Sequence, residues 1–259
     1  MEERTWRTTA SGIGPQWPVF GLFLALFGLF PAFFGLASAL SAALDPPSWE
    51  AGLDPSLHLV FCLCLTLFFW PGLYLFNRTL AGRPLGLEVS GVVLYMGVTL
   101  VAGLACEIGW DSLWTARFGS PLWLYRNWPL HHGYTTGVAL VQWPLYGFHV
   151  CCLHRALAVN KRLNFLNNNI TKGVLIGVDA MVIEFLVNSF SLSLFGSWHF
   201  YYFPNDLGHF TSFQVFIPYV VSGIAGMHLL SALESLGSWR APVGAGFAAA
   251  GLAAMAVGL

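Results

Sequence analysis

Charge is what this sequence has least of. Only 9% of its 259 residues are Asp, Glu, Lys or Arg, against about 25% in an ordinary soluble domain. Too few charges remain to clothe a water-facing surface, so a soluble globular protein is excluded. Net charge is −1 and no basic block occurs, so no nucleic-acid partner is implied. Lysine is scarcer still. Only Lys161 and Lys172 occur, neither in the last apolar run, which excludes a Schiff-base pigment of the retinal type. The five cysteines, Cys62, Cys64, Cys106, Cys151 and Cys152, lie in or beside apolar runs. Their spacing suits small buried residues better than a disulfide framework or a zinc site. There is no P-loop and no dinucleotide fingerprint, so no cofactor is implied. Eight histidines are present, but no HxxxH or HxxHH spacing places them as a diiron set. No metal site is expected.

What is abundant is hydrocarbon. Hydrophobic residues make up 56% of the chain and mean hydropathy is +0.67. A helix needs about 20 apolar residues to cross a bilayer. Seven stretches qualify: about 17–44, 55–76, 87–110, 134–156, 170–194, 210–233 and 241–259. The expected fold is therefore an all-α integral membrane protein with about seven transmembrane helices, a single domain over residues 1–259. The polar start MEERTWRTTASGIGPQW and the long run after it read as a retained first helix rather than a cleaved signal. With these spans, nine of the eleven cations fall on one side. That side is expected to be cytoplasmic, which puts the N-terminus inside and the C-terminus outside a cell or inner membrane. The Asn77-Arg78-Thr79 and Asn169-Ile170-Thr171 triplets then face the cytoplasm and carry no sugar. Oligomeric state has no signature in the sequence.

Two links on the outer side are unusually rich in rings and polar groups. Residues 107–138 and 184–215 align without gaps at an offset of 77, with nine identical pairs over 32 positions. Among them are Glu107/Glu184, Phe118/Phe195, Gly119/Gly196, Ser120/Ser197, Tyr125/Tyr202 and His132/His209. Asp111/Asn188 agree in chemistry. The pattern predicts a parallel internal repeat: half A, about 87–156, and half B, about 164–233. Each half is a hairpin with a carboxyl near the outer end of its first helix. Glu107 and Asp111, like Glu184 and Asn188, are four apart and share a helix face. Intramembrane carboxyls are expensive and mark a cavity or a partner; the bland alternative is two glutamates that merely lock helices together. Asp179 falls on another face and is expected to pair with Lys172 or a neighbouring helix. His58 starts the second run at the same level.

Taking a carboxylate out of water disfavours its charged form, so an acid in a ring-lined pocket keeps its proton and can donate it. Aromatic faces stabilise cations. Together they suit a neutral polyene or isoprenoid whose C=C bond is protonated, the cation then being captured by water, captured by an internal double bond, or deprotonated. Glu184 is the candidate acid and Glu107 a second acid or a base. Asp111, Asn188 and His209 would position them. Trp110, Trp114, Tyr125, Trp198, His199, Phe200, Tyr201 and Tyr202 would line the slot, covering the acid like a lid. The segment Gly196, Trp198, Phe200, Tyr202, Gly208 and Pro218, with Glu184 upstream, resembles the membrane carotenoid-modifying enzymes. These include the heterodimer-type lycopene cyclases and the bisanhydrobacterioruberin-type hydratases. Trp110-Asp111 with Ala116-Arg117 is similar to the cyclases' WD…AR stretch. The resemblance covers about a third of the chain and implies a carotenoid-like substrate. The cyclases' PxE carboxylate is absent, since Tyr219, Val220 and Val221 follow Pro218; this favours hydration or isomerisation over cyclisation. Other classes stay open: a non-catalytic lipid- or pigment-binding or assembly subunit, a histidine-metal lipid desaturase or hydroxylase, and a proton-coupled transporter.

Overall fold

The structure, a computed structural model, describes residue 50 and residues 52–257. The expected span at 17–44 lies outside the described residues. Those described form six α-helices: α1 His58–Ala81, α2 Val89–Phe118, α3 Ala139–Val159, α4 Asn169–Phe195, α5 Phe216–Glu234 and α6 Arg240–Val257. Their starts and stops follow local chemistry. Before α1, Asp54 accepts from the Ser56 N–H (2.8 Å) and hydroxyl (2.6 Å), which holds its carboxyl below the ordinary range. Asn168 caps α4 through the Thr171 N–H at 2.9 Å. Gly119 and Gly196, at φ 78° and 63°, end α2 and α4 in the left-handed conformation that glycine adopts freely.

Four segments, Pro55–Ala81, Val89–Phe118, Phe213–Glu234 and Gly237–Val257, are long and apolar enough to cross a membrane. The other two helices, α3 and α4, correspond to the expected spans 134–156 and 170–194. They hold much of the polar cargo: Gln142, His149 and His154 on α3, and Lys172, Asp179, Glu184 and Asn188 on α4. Apolar side chains also face outward. Ile170, Val174, Val178 and Val182 form an exposed stripe at four-residue spacing along α4, and Leu59, Leu63 and Leu67 do so on α1.

Helix α2 is the hub, packing on α3, α5 and α6, while α1 packs on α3 and α4 on α5. Small residues set these approaches, as between helices in lipid. A Cβ at Gly97 would strike the Gly244 carbonyl of α6, and one at Gly223 would meet the Gly173 carbonyl of α4. Gly97→Val is therefore expected to cost about 1–3 kcal/mol, read as a lowered melting temperature in detergent.

The aromatic links are not α-helical. Each folds back into the bundle as a short strand. β1 (Trp123–Tyr125) and β4 (Phe200–Tyr202) pair antiparallel, with Trp123 opposite Tyr202, Leu124 opposite Tyr201 and Tyr125 opposite Phe200. The ladder is flanked by the Arg126 N–H to the His199 carbonyl (2.8 Å) and the Phe203 N–H to the Leu122 carbonyl (3.0 Å). β2 (Pro129–Leu130) and β3 (Thr135–Thr136) form a second pair. Strand backbone inside a lipid-embedded bundle is tolerated only where protein surrounds it. Tyr202 and Phe200 are almost wholly buried here.

Candidate functional site

Glu107 lies eleven residues before the end of α2, and Glu184 eleven before the end of α4. At 1.5 Å per residue each sits about 16 Å down its helix. The returning strands reach that depth. Tyr125 of β1 donates its hydroxyl to Glu107 Oε1, and Tyr202 of β4 donates to Glu184 Oε1 at 2.7 Å. The second carboxylate oxygens are met from the start of the return segment: Thr135 donates to Glu107 Oε2, and Thr211 to Glu184 Oε2 at 2.6 Å. A third side chain from the return helix completes each set, Trp143 beside Glu107 and Tyr219, through its hydroxyl, on Glu184. The Tyr202 and Tyr219 hydroxyls are also within 3.2 Å of each other. Because a hydroxyl both donates and accepts, each cluster serves a carboxylate or a carboxylic acid.

One turn farther along each helix, a second polar residue anchors the strand. Asp111 Oδ1 accepts the Leu122 N–H at 2.6 Å. Asn188 Oδ1 accepts from the N–H groups of His199 and Phe200, both at 3.2 Å. Asn188 Nδ2 also donates to the carbonyls of Phe200 (2.9 Å) and Phe210 (3.1 Å). Since the acceptor oxygen is what Asp111 contributes, Asp111→Asn is expected to change stability by less than about 1 kcal/mol. Asp111→Leu strands a buried N–H and costs about 1–3 kcal/mol. Melting curves of the two variants separate these outcomes.

Glu107 and Glu184 line the same cavity. Its walls are Leu65 and Phe69 of α1, Gln142 and Tyr146 of α3, and the rings of Trp123, Tyr125, Phe200, Tyr202 and Tyr219. The centre of a water-sized sphere has about 60 Å³ in which to move. A second cavity, about 160 Å³ by the same measure, lies between α2 and α5; Trp110, Trp114, Trp123, Trp143 and Tyr219 line it together with Glu107. Glu107 therefore stands in the wall between the two spaces, whereas Glu184 lines the first.

The candidate residues separate accordingly. Tyr125, Phe200 and Tyr202 line the first cavity, and Trp110 and Trp114 the second. Trp198, His199, Tyr201 and His209 are in neither wall. Trp198 packs edge-on to Tyr201 and Phe210. His199 is buried, stacked on Phe61, with Nε2 3.0 Å from Gln142 Oε1. His209 takes a positive φ of 67°, stacks on Tyr201 and places Nδ1 2.7 Å from the Tyr202 carbonyl. It holds a turn, as does His132 at φ 64°. His58 stacks on Trp128. Thr211, Gln142, Trp143 and Tyr219 are site residues that the sequence did not single out, and Thr135 stood out only as the repeat partner of Ser212. Among the described residues, no three His, Cys, Asp or Glu side chains converge as metal ligands. No family model, curated protein or solved structure matches the chain.

Proposed function

We propose that this chain is an integral membrane enzyme that protonates a C=C bond of an isoprenoid- or carotenoid-like lipid. The carrying observation is two glutamates, one from each hairpin, on a single ring-lined cavity. In this reading Glu184, as the acid, gives its proton to one alkene carbon, and the positive charge that develops on the other is sheltered by the faces of Trp123, Phe200 and Tyr202. Glu107, on the same cavity, takes a proton. If it comes from a water molecule that adds to the cation, the product is an alcohol; if from a neighbouring C–H, the product is an isomeric alkene. Tyr202 and Tyr219 move the proton on and off Glu184 by rotating their hydroxyls.

We also read α2–α3 and α4–α5 as duplicated hairpins. The supports are the matching roles of Asp111 and Asn188, of Tyr125 and Tyr202, and of Gly119 and Gly196, all at an offset of 77. Seven spans, with the cation-rich ends in the cytoplasm, complete the proposal. A second reading is favoured by one observation: both oxygens of each carboxyl already have hydroxyl partners. That arrangement also suits a rigid, non-catalytic lipid- or pigment-binding cavity.

Extraction of purified protein and mass analysis of the co-purifying lipid tests the substrate class. The expected ligand is an unsaturated isoprenoid at near-stoichiometric amount. Phospholipid alone contradicts the proposal. A bound isoprenoid that remains unchanged by active membranes selects the second reading.

A further inference from the structure

One turn beyond the floor of the shared cavity, three helices each contribute a polar side chain that the chemistry above does not use. Leu73 of α1, Tyr146 of α3 and Ala180 of α4 line the cavity. Asn77 follows Leu73 by four residues, His149 follows Tyr146 by three, and Asp179 immediately precedes Ala180. Asn77 and His149 are buried, and the Asp179 side chain is 26% exposed.

Their hydrogen bonds fix a direction. Asn77 Nδ2 lies 2.7 Å from the Leu73 carbonyl, which identifies it as the amide donor. The same group is 2.9 Å from His149 Nδ1, so that nitrogen accepts. A neutral His149 then carries its hydrogen on Nε2, which donates to Asp179 Oδ2 at 3.0 Å. Tyr146 stands between this set and the cavity: its ring is 6.0 Å from that of His149, its hydroxyl donates to the Ile176 carbonyl at 3.0 Å, and the Asp179 carboxylate lies beside it. A separate charged network lies on the neighbouring helices. Lys172 Nζ is 3.0 Å from His154 Nδ1, His154 Nε2 is 3.6 Å from Glu234 Oε2, and Tyr95 donates to Glu234 Oε1 at 3.0 Å. Asp179 thus pairs with His149, and Lys172 with His154.

We propose that Asp179, His149 and Tyr146 form the route by which Glu184 exchanges protons with water at the cavity's far end. A proton is taken up at Asp179, the partly exposed member of the set. It passes to the Tyr146 hydroxyl, which turns from the Ile176 carbonyl to release its own proton into the cavity, and between turnovers, when no lipid fills it, the cavity carries the proton to Glu184. The cavity, about 60 Å³, has polar side chains in its wall and room to admit water. His149, held by Asn77 through Nδ1, holds the Asp179 carboxylate through Nε2. In the proposed reaction Glu184 ends each cycle without its proton and Glu107 ends with one more. The route returns a proton to the first carboxyl and, run in the opposite sense, carries the added proton away from the second, since both line the cavity; one proton enters and one leaves per cycle. To that extent the inference rests on the function proposed above.

The test needs no substrate. Protein in lipid nanodiscs is moved from H2O to D2O, and infrared spectroscopy follows the carboxyl C=O band that disappears in Glu184→Gln. Wild type is expected to exchange at least tenfold faster than Asp179→Asn or Tyr146→Phe, with Asp179→Glu restoring the rate. A purely structural role for Asp179 would lower the melting temperature without slowing the band. Unchanged exchange in Asp179→Asn and Tyr146→Phe, or no Glu184-dependent carboxyl band between pH 5 and 9, overturns the route. Should Asp179→Asn fail to fold, Tyr146→Phe, which loses one hydroxyl, decides the matter. Fast Asp179-dependent exchange in a protein that transforms no lipid would contradict the enzyme reading and leave the route standing; turnover without Asp179 dependence would do the reverse.

Discussion

Glu184→Gln is expected to lower turnover of the bound isoprenoid by about 10²–10⁴-fold, the range by which a positioned general acid contributes. The substitution keeps the shape of the side chain and its carbonyl acceptor. Tyr202, Tyr219 and Thr211 all meet this side chain, and rotation of their hydroxyls lets them accept from the new amide. Melting temperature should therefore change little while activity is lost. Glu107→Gln is expected to be milder where water addition is measured, because a neighbouring hydroxyl such as Thr135 or Tyr125 can still orient the nucleophile. Substrate conversion and melting are measured on the same preparations. Equal loss in both variants with intact folding would place the two glutamates in one chemical unit. No loss in either, with folding intact, selects the binding reading.

The largest effect on stability is expected at Asn188. Its amide makes four hydrogen bonds at full burial, two from backbone N–H groups and two to backbone carbonyls. Asn188→Leu fits the space but leaves those groups without partners. Each buried orphan costs about 1–3 kcal/mol, so a total of at least about 4 kcal/mol is expected, a large fraction of ordinary domain stability. β4 is also displaced, taking Tyr202 away from Glu184. The expected result is a strongly lowered melting temperature together with loss of the co-purifying ligand. Asn188→Asp keeps the acceptor and loses the two donors, so it should fall between wild type and Asn188→Leu. A melting temperature for Asn188→Leu within a few degrees of wild type would contradict this account of the anchor.

The helical residues of this site on α2 and α4 were legible because they recur. Glu107 with Asp111 and Glu184 with Asn188 stand at the same helical spacing in two aligned segments, and the structure gives each pair the same division of labour: carboxyl to the cavity, second residue to the strand. The gapless offset that exposed them also concealed their partners. It sets Thr135 against Ser212, whereas the hydroxyl that binds Glu184 is that of Thr211. A one-residue shift beyond the strands brings Thr135 onto Thr211 and Trp143 onto Tyr219, the two sets that actually surround the carboxyls.

The strands were hidden for a different reason. Three-residue segments such as Trp123–Tyr125 carry no measurable alternation, and their rings suit an interfacial belt equally well. Their depth is set by Asp111 and Asn188, which pull the backbone inward. His209 and His199 looked chemical because polar residues among rings are uncommon; one supports a left-handed turn and the other packs on Phe61. Of the Asn77–His149–Asp179 set only Asp179, expected to pair with Lys172 or a neighbouring helix, stood out; its partners come from two other helices and no local spacing relates them.

Solvent-isotope incorporation tests the shared cavity most directly. Membranes carrying the protein are incubated in D2O, and the co-purifying isoprenoid and its product are analysed by mass spectrometry for carbon-bound deuterium. Protonation of a C=C bond at Glu184 predicts one deuterium retained on carbon per conversion in wild type and none above background in Glu184→Gln. Conversion of the lipid with no carbon-bound deuterium, or deuterium incorporation undiminished in Glu184→Gln, would contradict it.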